Sequence, residues 1–169
     1  MQRIIINVKG MQVLGSWGIA NMAVGGVGYF AAKNDEWKYF HEMNAAFGFV
    51  NTGIATYGML QARRQAMAKL DMNKAYIDYK RDKKILIVSI GLDAAYMGVG
   101  YALLQKGEND HSNPNLYKGF GRSLMLQGAF LLMFDNFMLI AHQKYSGRWA
   151  TILDEMRFTG NGLSYTHTF

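Results

Sequence analysis

The sequence predicts an all-α, polytopic membrane protein of four transmembrane helices, arranged as a 2+2 repeat of helical hairpins. Three observations lead there. Four apolar blocks divide the chain, each close to the roughly 20 residues that cross a bilayer's hydrocarbon core. Aromatic and cationic residues flank the blocks, as interfacial belts do. Glycine supplies 19 of 169 residues, against one proline and no cysteine. Each interior glycine costs a water-soluble helix about 1 kcal/mol relative to alanine, so this density argues against a soluble bundle. A mean hydropathy of -0.05 averages apolar blocks with charged connectors.

The elements follow in order. Residues 1–12 form a cytoplasmic amino terminus, and the first helix covers 13–32 without one charged residue. That run exceeds the roughly 7–15 residues of a signal-peptide core, so it reads as a spanning helix. The second helix covers 39–61 and opens on Trp37, Lys38, Tyr39 and Phe40. The basic connector 62–84 is rich in Ala, Gln and Lys and lacks Gly and Pro, which predicts that it continues the second helix into the cytoplasm. The third helix, 85–105, carries a single charge at Asp93. Asn113-Pro114 breaks the chain before the fourth helix, 121–142, which carries Asp135. Tyr117, Lys118 and Arg122 lead into that helix, and His142, Lys144 and Tyr145 follow. A soluble four-helix bundle would show a polar stripe on each helix, and none here is long enough to face water. In the cytoplasmic tail, 143–169, Gly160-Asn161-Gly162 signals a turn. Leu163, Tyr165, His167 and Phe169 then alternate with polar residues at strand period, on a tail expected to be frayed or locally docked.

Charge sets the orientation. Thirteen of the eighteen Lys and Arg residues lie in the amino terminus, the connector and the tail. The positive-inside rule therefore places both termini in the cytoplasm. The same asymmetry accounts for the net charge of +6 and makes anionic lipid headgroups the natural partner. No base-reading or stacking motif accompanies the basic residues, so nucleic acid is not an expected partner.

An internal repeat organises the blocks. At an offset of 72, Gly26-Val27-Gly28-Tyr29 matches Gly98-Val99-Gly100-Tyr101 and Asn21 falls on Asp93. At an offset of 83, Met43 to Phe47 lies over Leu126 to Phe130. Two hairpins of equal orientation are thereby suggested. Gly18, Asn21, Gly25, Gly28 and Ala32 share one face of the first helix, a small face suited to close helix approach in lipid. Gly98 and Gly100 are the corresponding contact positions of the third helix, and His41, Asn44, Gly48 and Asn51 form a similar stripe on the second.

The candidate polar site is intramembrane. Asp93 and Asp135 each sit within an apolar block, where a carboxylate costs about 2.5–3.5 kcal/mol. Asn21 and Asn51 fall at comparable depth, with Asn44, Gln127 and His41 nearer the outside. A layer of two carboxylates and two amides is expected. It serves either as a hydrogen-bonded plug that specifies helix pairing or as a pathway for protons or cations. Catalytic signatures are absent from the sequence: no cysteine, no phosphate loop, and four histidines without metal-ligand spacing. His41 and His142 lie near opposite faces and cannot jointly ligate haem. Neither a metal nor another cofactor is expected, and the chain does not read as an enzyme.

Several stretches carry a family resemblance: Gly15-Ser16-Trp17-Gly18-Ile19-Ala20-Asn21, Lys38-Tyr39-Phe40-His41-Glu42-Met43-Asn44 and Gly91-Leu92-Asp93-Ala94-Ala95-Tyr96-Met97. Tyr117-Lys118-Gly119-Phe120-Gly121-Arg122-Ser123, running into Leu124-Met125-Leu126-Gln127-Gly128, and Phe134-Asp135 complete the pattern. Together they resemble an uncharacterised family, a domain of unknown function, of small bacterial four-helix integral membrane proteins. The resemblance covers about 11–145 and implies the bacterial inner membrane, with no established activity. The expected role is a structural or binding component that forms a homo-oligomer or joins a larger membrane complex. The alternative is a small transporter or proton/cation pathway through Asp93 and Asp135.

Overall fold

In the computed structural model, backbone is described for residues 2–68, 72–109, 112–159 and 162–165, and side chains for 2–68, 74–109 and 112–144. Four helices form the body: α1 (Gln2–Ala31), α2 (Asp35–Met67), α3 (Met72–Asn109) and α4 (Pro114–Glu155). Two short strands follow, β1 (Met156–Thr159) and β2 (Gly162–Tyr165). They pair antiparallel with Met156 opposite Tyr165 and Thr159 opposite Gly162, so Leu163 and Tyr165 do lie on a strand, while Gly160 and Asn161 of the expected turn lie outside the described residues. His167 and Phe169 lie outside the described residues.

Local chemistry explains the helix limits. Asn34 caps α2, its side-chain oxygen accepting from the Trp37 backbone N–H at 3.0 Å, with Asp35 and Glu36 complementing the helix dipole in the first turn. Pro114 opens α4 at the first helical position, where its missing N–H has no partner to lose. The connector is helical but does not simply prolong α2. That helix ends at Met67, and α3 begins at Met72. No glycine or proline marks this break, which is why composition alone read through it. α1 starts eleven residues ahead of its uncharged block.

The helices pair as two hairpins, α1 with α2 and α3 with α4, joined mainly along α2 and α4. Glycine makes the pairings close. A methyl group on Gly25 would lie 2.7 Å from the Ala45 backbone N and the His41 carbonyl O. One on Gly18 would collide with Thr52 and with the Gly48 carbonyl. One on Gly100 would stand 2.9 Å from the Gly121 carbonyl. Gly28 faces the His41 ring. Gly98 departs from expectation: nothing lies within 4 Å of its Cβ direction. It precedes Gly100 by two residues, about 200° around a helix, so the two cannot both face α4. The repeat is respected all the same, because Gly26 and Gly98 are both open while Gly28 and Gly100 both meet a neighbouring helix.

Burial runs opposite to that of a water-soluble protein. Among the described residues, the buried apolar side chains are Leu14, Ala55, Ala62, Leu124 and Met138. Twice as many buried residues are polar or charged, whereas Val27, Phe30, Phe49, Met133 and Phe137 stand exposed. Two helical stretches, 74–109 in α3 and 114–144 in α4, are long and apolar enough to cross a membrane.

These contacts separate two classes of glycine. Gly25→Ala should destabilise the protein by about 1–3 kcal/mol, because the methyl meets backbone that cannot step aside. Gly98→Ala should be neutral or stabilising by up to about 1 kcal/mol through helix propensity. Thermal melting of both variants in one detergent checks the difference.

Candidate functional site

The buried polar residues gather in three clusters along the bundle. The first joins α1, α2 and α4. Gln127 on α4 is wholly buried, and its Nε2 donates to Asn21 Oδ1 at 2.7 Å and to Asn44 Oδ1 at 2.9 Å. Its Oε1 accepts from Trp17 Nε1 at 2.9 Å. Ser123, one helical turn earlier, donates to Asn44 Oδ1 at 2.8 Å. Asn21 Nδ2 donates to the Trp17 carbonyl at 2.8 Å, closing the network on α1. The Trp17 indole stacks on Phe130 with centroids 4.0 Å apart. Each partner is placed by helical spacing: Trp17 and Asn21 are four apart, as are Ser123 and Gln127, so each pair shares a face.

The second cluster lies between α3 and α4. The Asp93 and Asp135 side chains face each other, with Ser89 beside Asp135. Asp93 is 3% exposed, and its Oδ2 is buried without a hydrogen-bond partner among the described residues.

The third cluster closes the end of the bundle where α1 begins. Arg3 donates to Asp82 at 2.6 Å, to Asp78 at 3.3 Å and to Gln65 Oε1 at 3.0 Å. Asn7 Nδ2 donates to Asp82 at 3.1 Å, and Asn7 Oδ1 lies 2.8 Å from His142 Nε2. Because the amide nitrogen of Asn7 is committed to a carboxylate, its oxygen is the acceptor and His142 Nε2 carries hydrogen. Four helices are thereby tied together around one buried guanidinium, with Arg81 adding a second contact to Asp78 at 3.2 Å.

Of the polar residues singled out in the sequence, Asn21, Asn44, Asn51, Gln127, Asp93 and Asp135 are buried and His41 is half-buried, and they group differently from the single layer expected. Asn21, Asn44 and Gln127 do come together. Asp93 and Asp135 meet each other rather than sharing one layer with the amides. Asn51 is buried, but its Nδ2 has no hydrogen-bond partner among the described residues. His41 stays half-buried beside Trp37 and Phe40, away from the polar core, because its ring is directed across Gly28. Trp17 and Ser123 were not anticipated, nor was the whole Arg3 cluster. A signal existed in α1, where Arg3, Gly10, Leu14, Gly18, Asn21 and Gly25 recur at steps of seven, four, four, three and four residues and are all buried. Among the described residues, no group of three or more acidic or histidine side chains could hold a metal ion.

Comparison with known proteins adds a family. The model of a family of unknown function, DUF6992, matches residues 13–136. That span contains the whole Gln127 network and both aspartates, but leaves out Arg3, Asn7 and His142. No curated protein and no solved structure matches the chain.

The network makes Gln127 the residue whose loss is felt on three helices. Gln127→Leu strands Trp17 Nε1 and Asn21 Oδ1, leaves Asn44 Oδ1 with Ser123 as its donor, and should cost about 1–2 kcal/mol, the upper range for interhelical hydrogen bonds. Asn136→Leu removes only an exposed bond to the carbonyl of its own helix at Leu132 and should leave the melting temperature unchanged. Parallel melting curves in detergent measure both.

Proposed function

Because the chain belongs to DUF6992, a family of unknown function, we propose a function from its own geometry. The protein is a four-span component of the bacterial inner membrane with both termini in the cytoplasm. It acts as a structural or binding subunit that oligomerises or joins a larger membrane complex, and it is not an enzyme. One observation carries this reading: polar side chains fill the interior while large apolar ones cover the outside. Such a bundle loses free energy in water and gains it in hydrocarbon, where interhelical hydrogen bonds and close glycine contacts hold helices together. The Gln127 network favours a structural role, since each of its members hydrogen-bonds to another member. Anionic headgroups complement the basic connector and termini.

A second reading rests on a different feature. The unpartnered Asp93 Oδ2, set against Asp135, is the kind of intramembrane acid that lines proton or cation pathways. Paired melting and liposome flux on Asp93→Asn and Asp135→Asn decide between the two. A plug keeps its fold, because an amide also donates a hydrogen bond, and neither wild type nor variant conducts. A pathway keeps its fold and loses a flux that the wild type shows. Collapse of both variants defeats the plug.

Topology has its own test. Cysteines replacing Lys74 and Ser112 should react with a membrane-impermeant reagent from opposite sides of intact membranes, Ser112 from outside. Labelling of both from outside overturns the four-span arrangement.

A further inference from the structure

The lipid-facing surface of α2 is not uniform. A groove of about 450 Å³ runs along it, floored by Gly53 and walled by Phe49, Thr52, Thr56, Tyr57 and Leu60, with Met22 of α1 closing one side. Nothing occupies the space within 4 Å of a Cβ on Gly53. The two threonines turn their hydroxyls inward: Thr52 Oγ1 donates to the Gly48 carbonyl and Thr56 Oγ1 to the Thr52 carbonyl, each at 2.8 Å. Their outward surface is therefore methyl, and the groove is apolar despite its composition.

Helical spacing continues this face beyond the groove. Phe49, Thr52, Gly53, Thr56, Tyr57 and Leu60 share one face of the helix, and Arg63 and Arg64, three and four residues beyond Leu60, fall on the same face. Both arginines are exposed, and neither has an ion pair among the described residues. From Phe49 to Leu60 the rise is about 16 Å, half of a hydrocarbon core of roughly 30 Å. The face thus offers an apolar channel one leaflet deep, with two guanidinium groups at its connector end.

We infer that this face of α2 is a site for an anionic phospholipid, its acyl chain lying in the groove and its phosphate held by Arg63 and Arg64. Charge complementarity commits the occupant: guanidinium binds phosphate through paired hydrogen bonds, and the apolar groove begins at Leu60, one helical turn from Arg63 and Arg64, with the Gln61–Tyr57 hydroxyl bond at its mouth. Lipid placed here would brace α2 against α1 along the open side of Gly53. The inference rests on the membrane reading above and adds to it a defined site with a headgroup preference.

The test uses the full chain purified in mild detergent, melted with dioleoyl phosphatidylglycerol, with dioleoyl phosphatidylcholine, or with glycerol phosphate alone. Phosphatidylglycerol should raise the melting temperature by about 5 °C more than phosphatidylcholine, and glycerol phosphate should have no effect. Arg63→Gln with Arg64→Gln should reduce the phosphatidylglycerol response to that of phosphatidylcholine. Gly53→Leu, whose Cβ has open space around it and whose side chain projects into the groove, should diminish both lipid responses. Equal responses of the wild type to both lipids overturn the site, as does a phosphatidylglycerol preference that survives the double substitution. An undiminished response in Gly53→Leu removes the acyl-chain half of the proposal. Alkaline carbonate extraction of native membranes keeps the two levels apart. A chain released as soluble protein defeats the membrane reading itself, whereas a retained chain with equal lipid responses defeats only the site.

Discussion

Polar groups taken out of water must find partners within the protein, and Gln127 shows how this bundle meets that demand. Its amide nitrogen reaches α1 and α2 at once, and its oxygen accepts from the Trp17 indole. A side chain 0% exposed with both ends engaged fixes the rotation and depth of α4 against both helices of the other hairpin. An apolar residue in its place could slide or rotate at little cost, since dispersion is almost as good in a shifted register. Hydrogen bonds are directional, so the polar interior specifies one arrangement where apolar contact alone would permit several.

That specification works only because the backbones come near enough. The Gly18–Gly48 and Gly25–Ala45 approaches bring α1 and α2 to within reach of one another's backbone, and Gly100–Gly121 does the same for α3 and α4. Between the hairpins, Gly119 of α4 lies against the Glu36 carbonyl and the backbone of Phe40. Arg122 completes that corner by pairing with Glu36 at 3.0 Å while its guanidinium stands over the Trp37 ring. At the opposite end, Arg3 reaches across to α3 and joins α1 to a helix it otherwise barely meets. Glycine contacts thus set distance, and polar contacts set register.

The two hairpins use equivalent positions for unlike chemistry. Asn21 and Asp93 correspond in the repeat, as do Asn44 and Gln127, and all four are buried. In the first hairpin and across to α4 these positions became a hydrogen-bonded amide network. Between α3 and α4 the corresponding depth holds two carboxyl groups, and one oxygen is left over at Asp93. The repeat distributes scaffold and reactive potential unevenly.

Composition and periodicity by themselves determined the helix count, the two-hairpin plan, the apolar exterior and the polar identity of Asn21, Asn44, Asn51, Gln127, Asp93 and Asp135 as interior residues. These properties are local: a charge-free run of twenty residues or a three-four spacing of glycines is written in consecutive positions. Partnership is not local. Gln127 meets Asn21 across 106 residues of chain and His142 meets Asn7 across 135, and no spacing rule links such pairs. Tertiary structure alone decided that the amides and the acids separate into two clusters, that His41 lies outside both, and that Gly98 faces away while Gly100 touches α4. It also decided that the break near Met67 would return α3 to the bundle, so that Asp78 and Asp82 could reach Arg3. Helix rotation is the physical reason. A face is defined by the chain's own period, but which neighbour that face meets depends on how whole helices turn to satisfy every buried donor and acceptor together.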